Sequence, residues 1–315
     1  MNLNFGKLAA KLAEISDCEV KTNEVLAPYT SYNIGGPTAV WVAPRTEEGI
    51  ASVLEIVYAS GAPLFILGRG SNLLVSDNGW QGVTLYVGKN LSGWTIQGRD
   101  ARVLAGTLLM DLITAMVENG LAGMELLAGI PGGVGGALRM NAGAFGQEIE
   151  SVTVSVKGFL FDGSPFEASR NEIDFAYRCV PSLEDVVITS GHMRFNMENV
   201  AVLQERMNDI VALRAKKQPL EYPSCGSVFK RPPGYYAGAL IEEAGLRGEK
   251  VGDAEISEKH AGFILNVNNA KAADIYALIR RAEERVLQRF GVRLEREVKL
   301  IGEFEKEKHP KNLFE

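Results

Sequence analysis

Gly129-Ile130-Pro131-Gly132-Gly133-Val134-Gly135-Gly136 opens a stretch that runs on through Asn141-Ala142-Gly143 to Gly146 and places seven glycines in eighteen residues. A second cluster, Gly68-Arg69-Gly70-Ser71-Asn72-Leu73, stands about sixty residues earlier, directly after the apolar run Leu64–Leu67. Glycine lets backbone N–H groups approach a ligand closely and adopt positive φ. Successive amides turned inward form an anion-binding nest, and Ser71 and Asn72 add side-chain donors. Two such loops suit a diphosphate gripped from both sides. Leu73 stands where a dinucleotide fingerprint needs glycine, and no GxxxxGK[ST] exists, so neither a Rossmann turn nor a P-loop is present. The alternative is a pair of ordinary turns between buried strands. The glycine density of the second loop favours a ligand.

Outward from the loops the pattern is mixed. Leu8, Leu12 and Ile15 mark a short helix, and Thr38–Val42 a strand. Ile50, Val53, Leu54 and Val57 recur at helical spacing before the strand Leu64–Leu67, a strand–helix–strand unit of the kind that makes parallel pairs. Short strands are expected over Val83–Ala105, a helix over Leu108–Glu118, and strands at Val152–Leu160 and Val186–Phe195, with Asp162-Gly163 as a turn. Asn199–Lys216 reads as a helix carrying Val202, Met207, Ile210, Val211 and Leu213, and the prolines of Lys217–Pro223 mark a boundary. A helix near Ala237–Ala244, a strand Phe263–Val267, a long helix with Ile275, Leu278, Ile279, Ala282 and Val286 on one face, and a strand Val292–Leu300 complete the pattern. Residues 304–315 form a charged tail.

The 315-residue chain carries a net charge of -6 with Lys and Arg scattered, which argues against a nucleic-acid binder. Cys18, Cys179 and Cys225 stand far apart, so neither a zinc ribbon nor a disulfide framework is expected. The three histidines do not pair at metal-ligand spacing, and no metal is expected. With no signal-like N-terminus and no spanning apolar run, a cytoplasmic protein without membrane contact is expected.

The two loops together, with Thr30-Ser31-Tyr32-Asn33-Ile34-Gly35-Gly36-Pro37 upstream, resemble the flavin-binding domain of the vanillyl-alcohol-oxidase (PCMH) type. Tyr177-Arg178, Gly226-Ser227-Val228-Phe229-Lys230 and Glu295-Arg296-Glu297-Val298 resemble, in order and spacing, three active-site segments of the UDP-N-acetylenolpyruvoylglucosamine reductase family. The resemblance spans about Leu26 to Gly302. It is to the shorter form of the family, because His192 follows Arg178 too closely to admit the inserted tyrosine loop of the longer form.

The resemblance implies an α+β fold with two FAD-binding subdomains over 1–82 and 83–216 and a substrate-binding domain over 217–303. It implies non-covalent FAD held by Ile34, Gly35, Gly68, Arg69, Gly70, Ser71, Asn72, Leu73, Ile130, Pro131, Gly132, Gly133, Gly135, Gly136, Asn141, Ala142 and Gly143. NADPH is the implied co-substrate, and the enolpyruvyl ether of UDP-N-acetylglucosamine the implied acceptor. Ser227 is the implied proton donor to an enolate, Arg178 the partner of the substrate carboxylate, and Glu297 a hydrogen-bond donor to the enolate. Strand alternation alone makes Glu297 a solvated carboxylate like Glu295, with Leu294, Val298 and Leu300 on the other face. Tyr177, Arg231 and Lys217 (or Lys216) are assigned to substrate binding. Tyr235 and Tyr236 suit either uracil stacking or core packing, and His260 receives no role. A monomer is expected, with small molecules as its only partners.

The main rival is another FAD enzyme of the same fold that oxidises an alcohol or sugar with oxygen. Many of those hold flavin covalently through histidine or cysteine, and no histidine lies near either loop in sequence. A nucleotide-binding module without chemistry is opposed by Arg178, Ser227 and Glu297 together.

Overall fold

The computed structural model describes residues 3–304. The charged segment after Phe304 lies outside them.

The first unit begins with α1 (Phe5–Leu12), β1 (Cys18–Val25), β2 (Pro37–Pro44), α2 (Glu47–Ser60), β3 (Leu64–Leu67), β4 (Leu73–Val75) and β5 (Trp80–Tyr86). Local chemistry sets the bounds of α2. Thr46 accepts a hydrogen bond from the Gly49 amide, Glu47 and Glu48 lie at the positive end, and Gly61 ends the helix in the left-handed region. The sheet order is β1-β2-β5-β3, with β2 and β3 each parallel to β5. The strand–helix–strand unit is therefore parallel as expected, but β5 is inserted between its two strands. That insertion matters for the site, because it aligns the C-terminal ends of β3 and β5 beside the first glycine loop.

The second unit adds β6 (Trp94–Gln97), β7 (Asp100–Leu104), α3 (Leu109–Glu118), β8 (Leu121–Ala122), α4 (Val134–Arg139), β9 (Gly143–Ala144), β10 (Gln147–Glu148), β11 (Thr153–Leu160), β12 (Pro165–Ser169), β13 (Val186–Arg194), β14 (Asn196–Met197) and α5 (Val200–Lys217). Its main sheet, β12-β11-β13-β7-β6, is antiparallel throughout. One continuous apolar core joins the two units, from Leu12 and Val53 to Leu112, Val156 and Leu203. On α5 the expected apolar face shifts. Val202 and Val211 are exposed, and the inward stripe is Leu203, Met207, Ile210 and Arg214.

The third unit contains α6 (Ala237–Glu243), β15 (Lys250–Val251), β16 (Ala254–Ile256), β17 (Ile264–Asn266), α7 (Ala272–Phe290) and β18 (Lys299–Ile301). Ile275, Leu278, Ile279, Ala282 and Val286 of α7 are buried, as their spacing predicts. This core also takes in Tyr32, Ile34 and Leu74 from the first unit. Two further clasps bind the units. β18 pairs in parallel with β4, and the Asp77 carboxylate accepts from the Ala272 and Ala273 amides at 2.8 and 3.0 Å, capping α7 from across the boundary. The expected strand Val292–Leu300 shrinks to Lys299–Ile301. Residues 295–298 instead bend along the 228–230 segment, where Lys230 N donates to Glu295 O and Glu297 N to Val228 O.

Candidate active site

Where the three units meet lies a cleft of about 970 Å³. It is lined by Gly68–Leu73, by Ile130, Pro131, Gly132, Gly133, Gly135 and Gly136, and by Ala142 and Gly143. The third unit supplies Ser227, Arg231 and Glu297, while Tyr177 and Arg178 come from the second. The cleft thus gathers most of the residues named from sequence, although they are spread over more than 200 positions.

Four named residues do not line it. Ile34 is buried in the third unit's core, and Gly35 packs against Val75. Asn141 is fully buried, its amide donating to Glu148 Oε2 at 2.9 Å, so it braces the second loop from behind. Lys217 is exposed at the end of α5, as is Lys216, and Arg214, Gln218 and Leu220 line the cleft instead. Arg214 lies on the buried stripe of α5, whereas Lys217 is the last residue of the helix and is exposed.

The loops fit a diphosphate. Among the described residues, the amides of Gly70, Ser71, Asn72, Gly132 and Gly133 donate to no other group of the chain. Gly70 sits at φ +63, and a Cβ there would fall 2.0 Å from Tyr29 O, so only glycine is accommodated. A Cβ on Gly132 would lie 2.7 Å from Ser71 Oγ, which shows how closely the two loops approach. Gly68 and Gly136, by contrast, have nothing within 4 Å of an added Cβ; they border open space of the kind a bulky ligand needs. Not every expected donor is free. Asn72 Nδ2 donates to Glu297 O at 3.0 Å, and the Arg69 guanidinium to Gly106 O. Asn72 thereby ties the first glycine loop to the segment carrying Glu297.

Arg178, Ser227 and Glu297, the three residues expected to carry chemistry, line the cleft together. Arg178 holds a positive φ of 54, rare for a bulky residue. Such strain concentrates at functional sites. Its guanidinium donates to Asn141 O and Gly143 O, meets Glu297 Oε1 at 3.2 Å, and lies over the Tyr177 ring at 5.1 Å. Ser227 reaches the same place because Glu297 N and Val298 N both donate to Val228 O. The Ser227 side chain is exposed to the cleft. Alternation misjudged Glu297: its side chain is 21% exposed and faces Arg178, whereas Glu295 is 71% exposed and pairs with Lys230. Burial pushes the Glu297 carboxyl above the usual carboxylate range, outweighing the opposing pull of Arg178 and Lys230.

Other named groups fall into place around this centre. Arg231 lies 3.9 Å above the Tyr236 ring and donates to Tyr235 O; Tyr236 lines the cleft, and both tyrosines are exposed rather than packed in a core. His260 is distant from both glycine loops in sequence, yet it lines the same cleft. Its Nδ1 accepts from the Gly262 amide at 3.1 Å, which leaves Nε2 as the protonated nitrogen of the neutral ring. Burial lowers its pKa and keeps it neutral. Arg214 was missed from sequence. The available signal was an arginine at the next inward position after Leu203, Met207 and Ile210.

An FAD-containing oxidoreductase is the class that this cleft and a match to the FAD binding domain over residues 38–169 define. Residues 218–301 match the UDP-N-acetylenolpyruvoylglucosamine reductase C-terminal domain. The UDP-N-acetylenolpyruvoylglucosamine reductase of Clostridium kluyveri is 41% identical over 302 residues, covering 95% of this chain and 99% of that one. That of Listeria innocua is 40% identical over 294 residues, covering 92% and 98%. The crystal structure of the reductase from Thermus caldophilus superposes with a TM-score of 0.75 at 34% identity, covering 90% of this chain and 99% of that one. The chain belongs to the UDP-N-acetylenolpyruvoylglucosamine reductase family.

Proposed function

We propose that the chain reduces UDP-N-acetylglucosamine enolpyruvate to UDP-N-acetylmuramate, a peptidoglycan precursor, with NADPH as the electron source. The observation that carries this reading is the convergence of Arg178, Ser227 and Glu297 in a cleft that both glycine loops also line. Bound FAD supplies hydride transfer from NADPH to the enolpyruvyl terminal carbon. The chain's residues manage the charge and the proton. Gly70, Ser71, Asn72, Gly132 and Gly133 offer backbone amides to the cofactor diphosphate.

Arg178 is fixed by two backbone carbonyls and takes the substrate carboxylate, drawing negative charge onto its oxygens as an enolate develops. When that carboxylate engages Arg178, Glu297 shares its cation with a second anion. Its carboxyl, already raised by burial, then holds a proton more firmly and donates a hydrogen bond to the enolate oxygen. Ser227 protonates the enolate carbon. A serine is a weak acid, but the enolate is a strong base, and the transfer needs only a well-placed hydroxyl. Tyr177 and Arg231 bind the sugar nucleotide at the cleft rim.

All these groups come from one chain, and a monomer is the proposed working form. Three thiols that stand apart suit a reducing cytoplasm. The reading is tested by steady-state NADPH oxidation. Turnover that requires the enolpyruvyl sugar supports it; oxygen-dependent peroxide formation from an alcohol or sugar, with no use of NADPH, overturns it.

A further inference from the structure

The parallel β4–β18 ladder changes its pattern where it reaches the cleft. Ser76 N donates to Ile301 O at 2.8 Å and Lys299 N to Asn72 O at 3.1 Å, with Leu73 facing Lys299. Hydrogen bonds of a parallel pair are evenly spaced, so the same register carried to Asn72 would set its amide on Glu297 O. Among the described residues, however, the Asn72 amide donates to no other group of the chain, and its side chain takes that carbonyl instead, with Nδ2 at 3.0 Å from Glu297 O. Here residues 295–298 leave β4 for the 228–230 segment. Glu297 N donates to Val228 O at 2.8 Å, and Phe229 and Arg296 form a bridge. Both backbone groups of Glu297 are therefore engaged, its N–H by the residue after Ser227 and its carbonyl by the first glycine loop.

We propose that Asn72 is a positioning residue: its side chain stands in for its own amide, which leaves the amide to the cofactor diphosphate while Glu297 keeps its direction toward Arg178. The inference rests on the functional reading above, in which that amide meets the cofactor and Glu297 meets the enolate. A regular ladder would force a choice between the two, because one N–H would have to serve both. A residue held at its N–H and its carbonyl has a fixed direction for its Cα–Cβ bond, and a displacement of about 1 Å at a reacting group costs on the order of 10²-fold in rate. Through Glu297 N and Val228 O the same chain of bonds reaches the neighbour of Ser227. A plain clasp between the first and third units, such as β18 and the Asp77 cap already provide, would instead serve both half-reactions alike.

The test is a double-mutant cycle on the FAD-saturated holoenzyme. Wild type, Asn72→Ala, Glu297→Gln and the double variant are compared for flavin bleaching by NADPH and for recovery with UDP-N-acetylglucosamine enolpyruvate. In Asn72→Ala, bleaching near the wild-type rate and recovery slowed roughly 10- to 100-fold are expected. Because Asn72 acts through Glu297, the double variant should recover no more than about twofold slower than Glu297→Gln, whereas independent residues would multiply their losses. Multiplied losses, equal slowing of both half-reactions, or wild-type recovery in Asn72→Ala overturn the proposal. If Asn72→Ala does not fold, Asn72→Leu, which keeps the bulk and lacks the donor, enters the same cycle under the same criteria. A wild type that the sugar fails to reoxidise sinks the functional reading instead, and Tm against pH then decides the link. Glu297 faces Arg178 and Lys230, with Cys225 also near it. Once its carbonyl is released the carboxyl should gain solvent, so Glu297→Gln should alter the pH dependence of Tm less in the Asn72→Ala background than in wild type. An equal change in both backgrounds overturns the link.

Discussion

The glycine loops and the Arg178–Ser227–Glu297 group line one cleft but reach it by different routes. Each loop is a local object. Its amides point into the cleft because of backbone geometry within a few residues, as at Gly70 with its positive φ and its close approach to Tyr29. The Arg178–Ser227–Glu297 group has no local existence. Arg178 stands on a strained turn of the second unit, while Ser227 and Glu297 are joined by hydrogen bonds between segments about seventy residues apart. In the proposed function the loops serve binding and the Arg178–Ser227–Glu297 group serves chemistry. Damage to either should therefore have separable consequences.

The largest separation is expected for Ser227→Ala. Bleaching of the flavin band by NADPH should stay near the wild-type rate, while its recovery with the enolpyruvyl sugar falls about 10²- to 10⁴-fold, the usual scale of a lost proton donor. Slow bleaching with normal recovery would remove Ser227 from this role. Arg178→Lys keeps the charge but loses the fork held by Asn141 and Gly143 carbonyls; a fall of about 10²- to 10³-fold in kcat is expected, with FAD content unchanged. Wild-type kcat in this variant would show that bidentate geometry is not needed.

The converse experiment is Gly136→Leu. An added Cβ at Gly136 meets nothing within 4 Å, so the variant should fold with a Tm close to that of the flavin-free wild type, yet retain FAD at least about tenfold more weakly by displacing it from the cleft. Full flavin occupancy in this variant would place the cofactor elsewhere. The smallest effect belongs to Glu297. Its folded-state pKa is raised, so its contribution to stability is full below the ordinary glutamate value of about 4.3 and is lost as pH rises through the folded value. Tm measured against pH should fall more steeply over that window in wild type than in Glu297→Gln. Parallel curves would mean that the carboxyl is not perturbed.

The same contrast explains what was legible in the sequence. Periodicity located the helices from Glu47–Ser60 to Ala272–Phe290, because their burial repeats every turn. Glycine density marked the loops, because their function is a backbone property. The strand order was hidden, since nothing local announces that β5 is inserted between β2 and β3. Glu297 was misjudged by alternation because residues 295–298 follow the 228–230 segment rather than a flat strand, and that path depends on long-range pairing. Resemblance to a family supplied what period-two reasoning lacked. Neither route found Arg214, because an arginine on the inward stripe of α5 is seen to line the cleft only in three dimensions.

The central claim is that one cleft accepts electrons from NADPH and delivers them to an enolpyruvyl sugar nucleotide. Anaerobic mixing of the purified protein, followed at the flavin absorbance band, tests it most directly. Bleaching on addition of NADPH and recovery on addition of UDP-N-acetylglucosamine enolpyruvate are predicted. Bleaching without recovery would contradict the assigned acceptor.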